Sequence, residues 1–219
     1  MSPDLAGFHR AAICDLFDQL GPEAPTLCTG WAAKDLAAHL FLRENDVISL
    51  PGMLVPALEP VTEARARTLL ARQSFDEIVS ALRSGPRRLS IMRPRAINRR
   101  LNGIEYLIHY EDLLRAQPAG SVERPVPPVE ERFALADQVW GAIGGIGRLI
   151  GRRSEVGLEL ARTDGAAETR TLAGGSATVL VRGTPTELAM WLYGRAADVE
   201  LIGEAGPRAL ANEAVSRGI

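Results

Sequence analysis

The feature that most constrains this chain is a proline-dense stretch near its middle. Pro118, Pro125, Pro127 and Pro128 fall within residues 117–128, and such a run can neither continue a helix nor join the interior of a sheet. It divides the 219 residues into two halves of different texture. Before it, apolar residues recur at helical spacing, and pairs of glycine and proline stop the first three runs. After it, short alternating apolar runs stand between glycine-rich turns. The length suits one large domain or two small ones, with enough chain to bury a core.

The first half reads as four amphipathic helices. Leu5, Phe8, Ile13, Leu16, Phe17 and Leu20 predict a helix over 3–20, closed by Gly21-Pro22. A second runs from Ala32 to Ser49, with Leu36, His39, Leu40, Arg43 and Val47 at helical spacing and Pro51-Gly52 as its stop. Pro56 and Pro60 predict irregular chain after it. Residues 61–83 form a third, open to division at Gln73-Ser74, because Ser74 and Glu77 make a capping box. The fourth spans Ile97 to Ala116. In the second half, residues 129–150 read as a helix weakened by Gly141, Gly144, Gly145 and Gly147, which mark either close packing or a break. Strands are expected at 156–160, 169–172 and 177–181, a helix from Pro185, a short strand at 198–202 and a last helix at 207–216. The class is α+β, helices first.

Charge and composition exclude several roles. A net charge of −2 offers no footprint for nucleic acid or an anionic membrane. No apolar run approaches the roughly 18 residues of a membrane span. The start MSPDLAGFHR is not the pattern of a secretory signal, so a cytoplasmic location is expected. Two cysteines, Cys14 and Cys28, make neither a disulfide framework nor a zinc ribbon. Cys14 reads as a core residue. Cys28 reads as packing, with the alternative of a nucleophile at a helix N-terminus. Arginine supplies 24 of the 25 basic residues, Lys34 being the exception. That bias points to a GC-rich genome, compatible with an actinobacterium.

The chemistry rests on the three histidines, at 9, 39 and 109. His9 reads as partly exposed and without a role. Glu105 and His109 are four residues apart on a predicted helix, so they lie one above the other on one face. That geometry suits two ligands of one metal, with His39 on the second helix as a natural third. Spacing alone leaves the alternatives open: a solvated Glu/His pair, a satisfied core His39, or a metal-free bundle in which the three satisfy one another. Asp35, Asn102 and Asp112 stand where they orient such ligands, or cap helices and meet solvent. Trp31 reads as an aromatic pin for the loop before the second helix. Arg43 reads as an outward ion pair, with a cavity-facing alternative.

Two segments carry a resemblance. Cys28-x-Gly30-Trp31-x-x-x-Asp35-Leu36-x-Ala38-His39-Leu40 is similar to a segment of the mycothiol-dependent maleylpyruvate isomerase family, within the DinB-like superfamily. Asn102-x-x-Glu105-x-x-x-His109-x-Glu111-Asp112-x-x-Arg115-Ala116-Gln117-Pro118 resembles another, at the expected separation. The match extends to a tail ending Leu192-Tyr193-Gly194-Arg195 and is nearest to an actinobacterial metal-binding subgroup of unassigned substrate. The resemblance implies an N-terminal DinB-like four-helix bundle over residues 1–118 and a small α+β C-terminal domain over 119–219. The helix at 129–150 is a candidate to pack on that bundle.

It further implies that His39, Glu105 and His109 are metal ligands, usually of zinc completed by water. Two imidazoles and a carboxylate leave zinc one open position, the catalytic pattern; Ni²⁺, Fe²⁺ or Mn²⁺ accept the same set. The expected function is a mycothiol-dependent isomerase or S-transferase acting on a small electrophilic substrate. Its partners are then that substrate and the low-molecular-weight thiol, and the chain is a monomer or homodimer. The alternative is a non-catalytic metal-binding or regulatory module. The second half is similar to the smaller domains attached to such bundles, which have the shape of sterol-carrier-like domains. There Arg195 is a candidate for a substrate carboxylate, or a structural residue.

Overall fold

Each helix of the first half forms because its apolar residues share a face that another helix covers. In the computed structural model, residues 4–46, 48–49, 59–88, 90, 94–165 and 167–216 are described, with only the helical backbone at 59, 95–97 and 99–101. α1 (Leu5–Leu20) packs along α5 (Arg95–Arg115) and against α4 (Phe75–Arg83). α2 (Ala33–Asn45) packs on α3 (Glu59–Arg72), α4 and α5. The shared core includes Phe17, Leu36, Leu40, Ile78, Leu82 and Leu113, all fully buried. Burying such a side chain contributes about 1.5–3 kcal/mol, so these faces, more than helix propensity, hold the unit together. Cys14 lies in this core, with the thiol pushed up to about 12 by burial.

The helix boundaries follow local chemistry. The third predicted helix divides at Ser74, whose hydroxyl accepts from Glu77 N while Glu77 Oε2 accepts from Ser74 N. The second helix ends at Asn45, short of the expected Ser49. Asp46 stops it by accepting from Ile48 N and Ser49 Oγ and by pairing with Arg65. Pro60, expected in irregular chain, sits in the first turn of α3, where its missing N–H costs nothing. Pro51, Gly52, Pro56, Val47 and the Leu101 side chain lie outside the described residues. His9 is buried, contrary to the expected exposure. Its Nδ1 lies 3.2 Å from Leu5 O and its ring meets Tyr110 edge-on, and burial pushes its pKa down to about 4.

The chain forms two compact units, Asp4–Val126 and one running from Pro127. The divide expected from the sequence lies at 118/119. Residues 119–126 stay with the helices because Val122 packs on their core and Arg124 pairs with the fully buried Glu111.

The second unit is built on a four-stranded sheet of order β2-β1-β3-β4, formed by β1 (Gly157–Arg162), β2 (Thr169–Ala173), β3 (Thr178–Gly183) and β4 (Glu200–Ile202). β1 runs antiparallel to β2 and parallel to β3, and β4 is antiparallel to β3. Leu158 pairs with Val179 and Leu160 with Val181, all four fully buried, the period-two face expected from the sequence. α6 (Val129–Gly151), α7 (Pro185–Leu192) and α8 (Ala205–Ser216) pack on the sheet and one another. α6 therefore belongs to this unit. The helix runs unbroken through its glycines, and two of the four mark close packing: a Cβ on Gly144 would lie 2.6 Å from the Arg170 side chain and one on Gly147 2.6 Å from that of Leu172, while Gly141 and Gly145 have nothing within 4 Å. At the helix end a Cβ on Gly151 would lie only 2.4 Å from Leu172 O. Among the described residues, no helix is long and apolar enough to cross a membrane.

Candidate metal centre

Two helices supply the three predicted ligands. His39 and Arg43 share a face of α2, and Glu105 and His109 share a face of α5, each pair one turn apart. α2 and α5 pack together, which brings one ligand atom each from His39, Glu105 and His109 within 4.8 Å of one another. Glu105 Oε2 lies 3.6 Å from His109 Nε2. The His39 and His109 rings meet edge to face, with centroids 5.0 Å apart. Two ligands each roughly 2.1 Å from one ion stand at most about 4.2 Å apart, so the Glu105–His109 pair already has the spacing of ligands of one ion.

The polar accounting favours a cation here. His39 Nε2 is buried and has no hydrogen-bond partner, a condition that costs about 1–3 kcal/mol for an ordinary polar group. Burial pushes the His39 pKa down to about 3, helped by the neighbouring His109 and Arg43, so its imidazole is neutral and offers a lone pair. Burial alone would raise Glu105, but hydrogen bonding from His109 and the charges of Arg43 and His109 hold it down at about 2. Glu105 is thus an ionised carboxylate. Burial opposes a charge on His109, yet its bonds to Asp112, Cys28 and Glu105 outweigh that and hold its pKa well above the usual value. Glu105 and Asp112 on either side of His109 thus favour positive charge there, the demand that a metal ion beside Glu105 would also meet. The donor set therefore fits a divalent ion: His39, Glu105 and His109 would hold it, leaving one position of a tetrahedral ion open.

The surrounding residues fall into two groups. Asp112 is fully buried, and His109 Nδ1–H donates to its Oδ2 at 3.2 Å. This bond fixes the ring orientation and leaves Nε2 facing Glu105. Asp35 does not reach His39; its Oδ2 accepts from Ala32 N at 3.0 Å and caps α2. Asn102 is also committed elsewhere, donating to Glu44 Oε1 at 3.1 Å and Asn98 Oδ1 at 2.8 Å within a buried cluster around the Arg10–Glu44 ion pair. Arg195 lies in the second unit, in the turn after α7. Its N–H donates to Met190 O and its guanidinium to Tyr193 O, both within that unit.

Three residues play a larger part than the sequence suggested. Arg43 does not point outward: its Nη2 lies 3.2 Å from Glu105 Oε1, with the side chain 13% exposed. Its place one turn after His39 was the available signal. Cys28 is not simple packing, since its Sγ donates to Asp112 Oδ2 at 3.3 Å and lies 3.9 Å from His109 Nδ1. Trp31 is 37% exposed and its ring lies 5.1 Å from that of His39. Beside His39 a cleft of about 370 Å³ runs between Trp31 and the α3 residues Thr62, Glu63, Ala66, Arg67 and Leu70.

Comparison with known proteins agrees at the level of fold. No protein-family model and no curated protein matches the sequence. The chain is similar to the crystal structure of a mycothiol-dependent maleylpyruvate isomerase, with a TM-score of 0.59 at 18% identity over 92% of each chain. It is similar to a histidine-to-alanine variant of that isomerase, with a TM-score of 0.58 at 18% identity over 92% of each chain. At this identity the likeness establishes one thing, and it covers nearly the whole chain: the protein has the α+β fold of the mycothiol-dependent maleylpyruvate isomerase.

Proposed function

We propose that this protein is a metal-dependent, thiol-using enzyme. The ion is zinc, held by His39, Glu105 and His109, the co-substrate is mycothiol, and the reaction is isomerisation or S-transfer on a small electrophilic substrate. The observation that carries the reading is the buried, unpartnered His39 Nε2 grouped with Glu105 and His109, within a fold like that of an isomerase named for its use of mycothiol. A cation at this place supplies Lewis acidity, which lowers the pKa of a thiol or water at the open position.

The chain's own residues supply the rest. Arg43 and His109 keep Glu105 ionised, and Asp112 holds His109 in the orientation that turns Nε2 toward Glu105. The cleft beside His39 is of a size that accepts a small ligand, and Trp31 gives it an apolar wall. There the thiol adds to an electrophilic carbon of the substrate; later expulsion of the thiol gives an isomer, and retention gives an S-conjugate. The DinB-like four-helix arrangement of the first unit and the division into a metal-binding and a second domain belong to this reading. So does a cytoplasmic, actinobacterial setting.

The cleft separates this reading from a non-catalytic metal-binding module, which needs no open face beside the ion. The test is to load the Cys28→Ser protein with Co²⁺ and add mycothiol. The reading expects a thiolate-to-cobalt charge-transfer band, and its loss when His39 is changed to Ala. Unchanged spectra on adding the thiol would leave the module as the better account.

A further inference from the structure

The proposed centre uses one ring nitrogen of His109 and leaves a second donor cluster on the other. Asp112 Oδ2 lies 3.2 Å from His109 Nδ1 and 3.3 Å from Cys28 Sγ, and Sγ lies 3.9 Å from Nδ1. A sulfur, a nitrogen and an oxygen bound to one tetrahedral ion at about 2.0–2.3 Å stand roughly 3.3–3.6 Å apart. The cluster is therefore within a few tenths of an ångström of ligand spacing.

The backbone builds this arrangement in advance. Leu27 N donates to Asp112 O at 3.0 Å, Cys28 N to Thr26 Oγ1 at 3.1 Å and Gln117 Nε2 to Pro25 O at 2.9 Å. The loop carrying Cys28 is thus tied to α5 at Leu27 and to the turn after α5 at Pro25, both just ahead of the thiol. Asp112 is fully buried and Cys28 half-buried, so the carboxylate has little water to compete for a cation placed against it. A thiophilic ion displaces the Sγ hydrogen as a proton, and the Nδ1 hydrogen as a second; with the first centre also filled, His109 then bridges the two ions as an imidazolate.

We propose that Cys28, Asp112 and His109 Nδ1 form a second cation site, for thiophilic divalent ions such as Zn²⁺, Co²⁺ or Cd²⁺. One sulfur, one nitrogen and one oxygen select these over Mg²⁺ or Ca²⁺, which take oxygen ligands. The inference rests on the proposed centre only in that the two sites share His109. Filling the second replaces the Nδ1–H···Asp112 bond by bonds from both groups to the ion, so occupancy of one site changes metal affinity at the other.

The experiment is a titration of the full chain with Co²⁺, with bound ion counted by equilibrium dialysis. The site predicts two ions per chain, one of them carrying a thiolate-to-cobalt band. Cys28→Ser removes that ion and its band and keeps the visible d–d absorption of the other. His39→Ala removes the d–d absorption of the first centre and keeps the thiolate band. Cys28→Ala is a second variant should the serine disturb the loop, with far-ultraviolet circular dichroism as the check on folding. Absence of a thiolate band at saturating Co²⁺ overturns the proposal, as does a band that survives Cys28→Ser, since the remaining thiol is the core Cys14. Either result with normal d–d absorption leaves the proposed function standing. A thiolate band without any His39-dependent absorption refutes the proposed centre and keeps this one.

Discussion

Replacing Asp112 by Asn changes one charge and almost no volume, so it isolates what the buried carboxylate does for His109. The carboxylate is fully buried and accepts the Nδ1–H at 3.2 Å. A hydrogen bond to a charged group contributes about 1.5–3 kcal/mol, and loss of such a partner behind a metal-bound histidine lowers metal affinity about 10–100-fold. At 1.4 kcal/mol per decade, roughly, the two figures agree. An Asn amide can also present an N–H to Nδ1, favouring the ring tautomer that carries its proton on Nε2, where the ion is expected. The assay is competition for Zn²⁺ against a chelating dye, made in the Cys28→Ser background so that only the first centre is read. Asp112→Asn should weaken zinc binding by one to two decades while circular dichroism stays unchanged. An affinity within threefold of the parent, with the fold intact, would refute the claim that Asp112 positions His109.

Other expectations follow from particular contacts. Glu44→Ala strands Arg10 in the core, where the pair is buried and Glu44 also accepts from Asn102; a loss of about 3–5 kcal/mol in chemical denaturation is expected. Gly151→Ala drives a Cβ to 2.4 Å from Leu172 O, so α6 or β2 must shift and the thermal midpoint of the second unit should fall by several degrees. His9 is held neutral with its pKa near 4, below the ordinary 6.5. The unfolded chain therefore takes up this proton first as pH falls below 6.5, and stability is lost between pH 6.5 and 4, by up to roughly 3 kcal/mol. His9→Leu should flatten that part of the stability profile, measured by urea unfolding at stepped pH. Trp31 lies 5.1 Å from His39, ring to ring, so Co²⁺ binding should quench its fluorescence, and Trp31→Phe should abolish the quench.

What the sequence could disclose depended on the range of the interaction. The break at Ser74 was legible because a capping box is local, with both partners three residues apart. The Glu105–His109 pair was legible for the same reason. Cys28 was not, because its role depends on a loop tied to α5 by Leu27 N and Asp112 O, residues 85 positions apart in sequence. Arg43 was ambiguous from one helix alone. Its direction is set by Glu105 on another helix, and an ion pair across helices leaves no period in either. Asn102 shares a motif with Glu105, yet its amide is drawn to the Arg10–Glu44 pair, a demand created by α1 and α2 together. The glycines of α6 read equally as a break or a close approach until β2 supplied neighbours for two of them, Arg170 at Gly144 and Leu172 at Gly147.

The central claim is that His39, Glu105 and His109 hold one divalent ion, and the most direct measurement is zinc bound per chain at equilibrium dialysis. It is made on Cys28→Ser, which removes the second site, and on the same protein with His39→Ala or Glu105→Ala added. The account predicts one zinc per chain in the parent and none in either variant under the same conditions. One zinc retained after removal of His39 or Glu105, in folded protein, would contradict it.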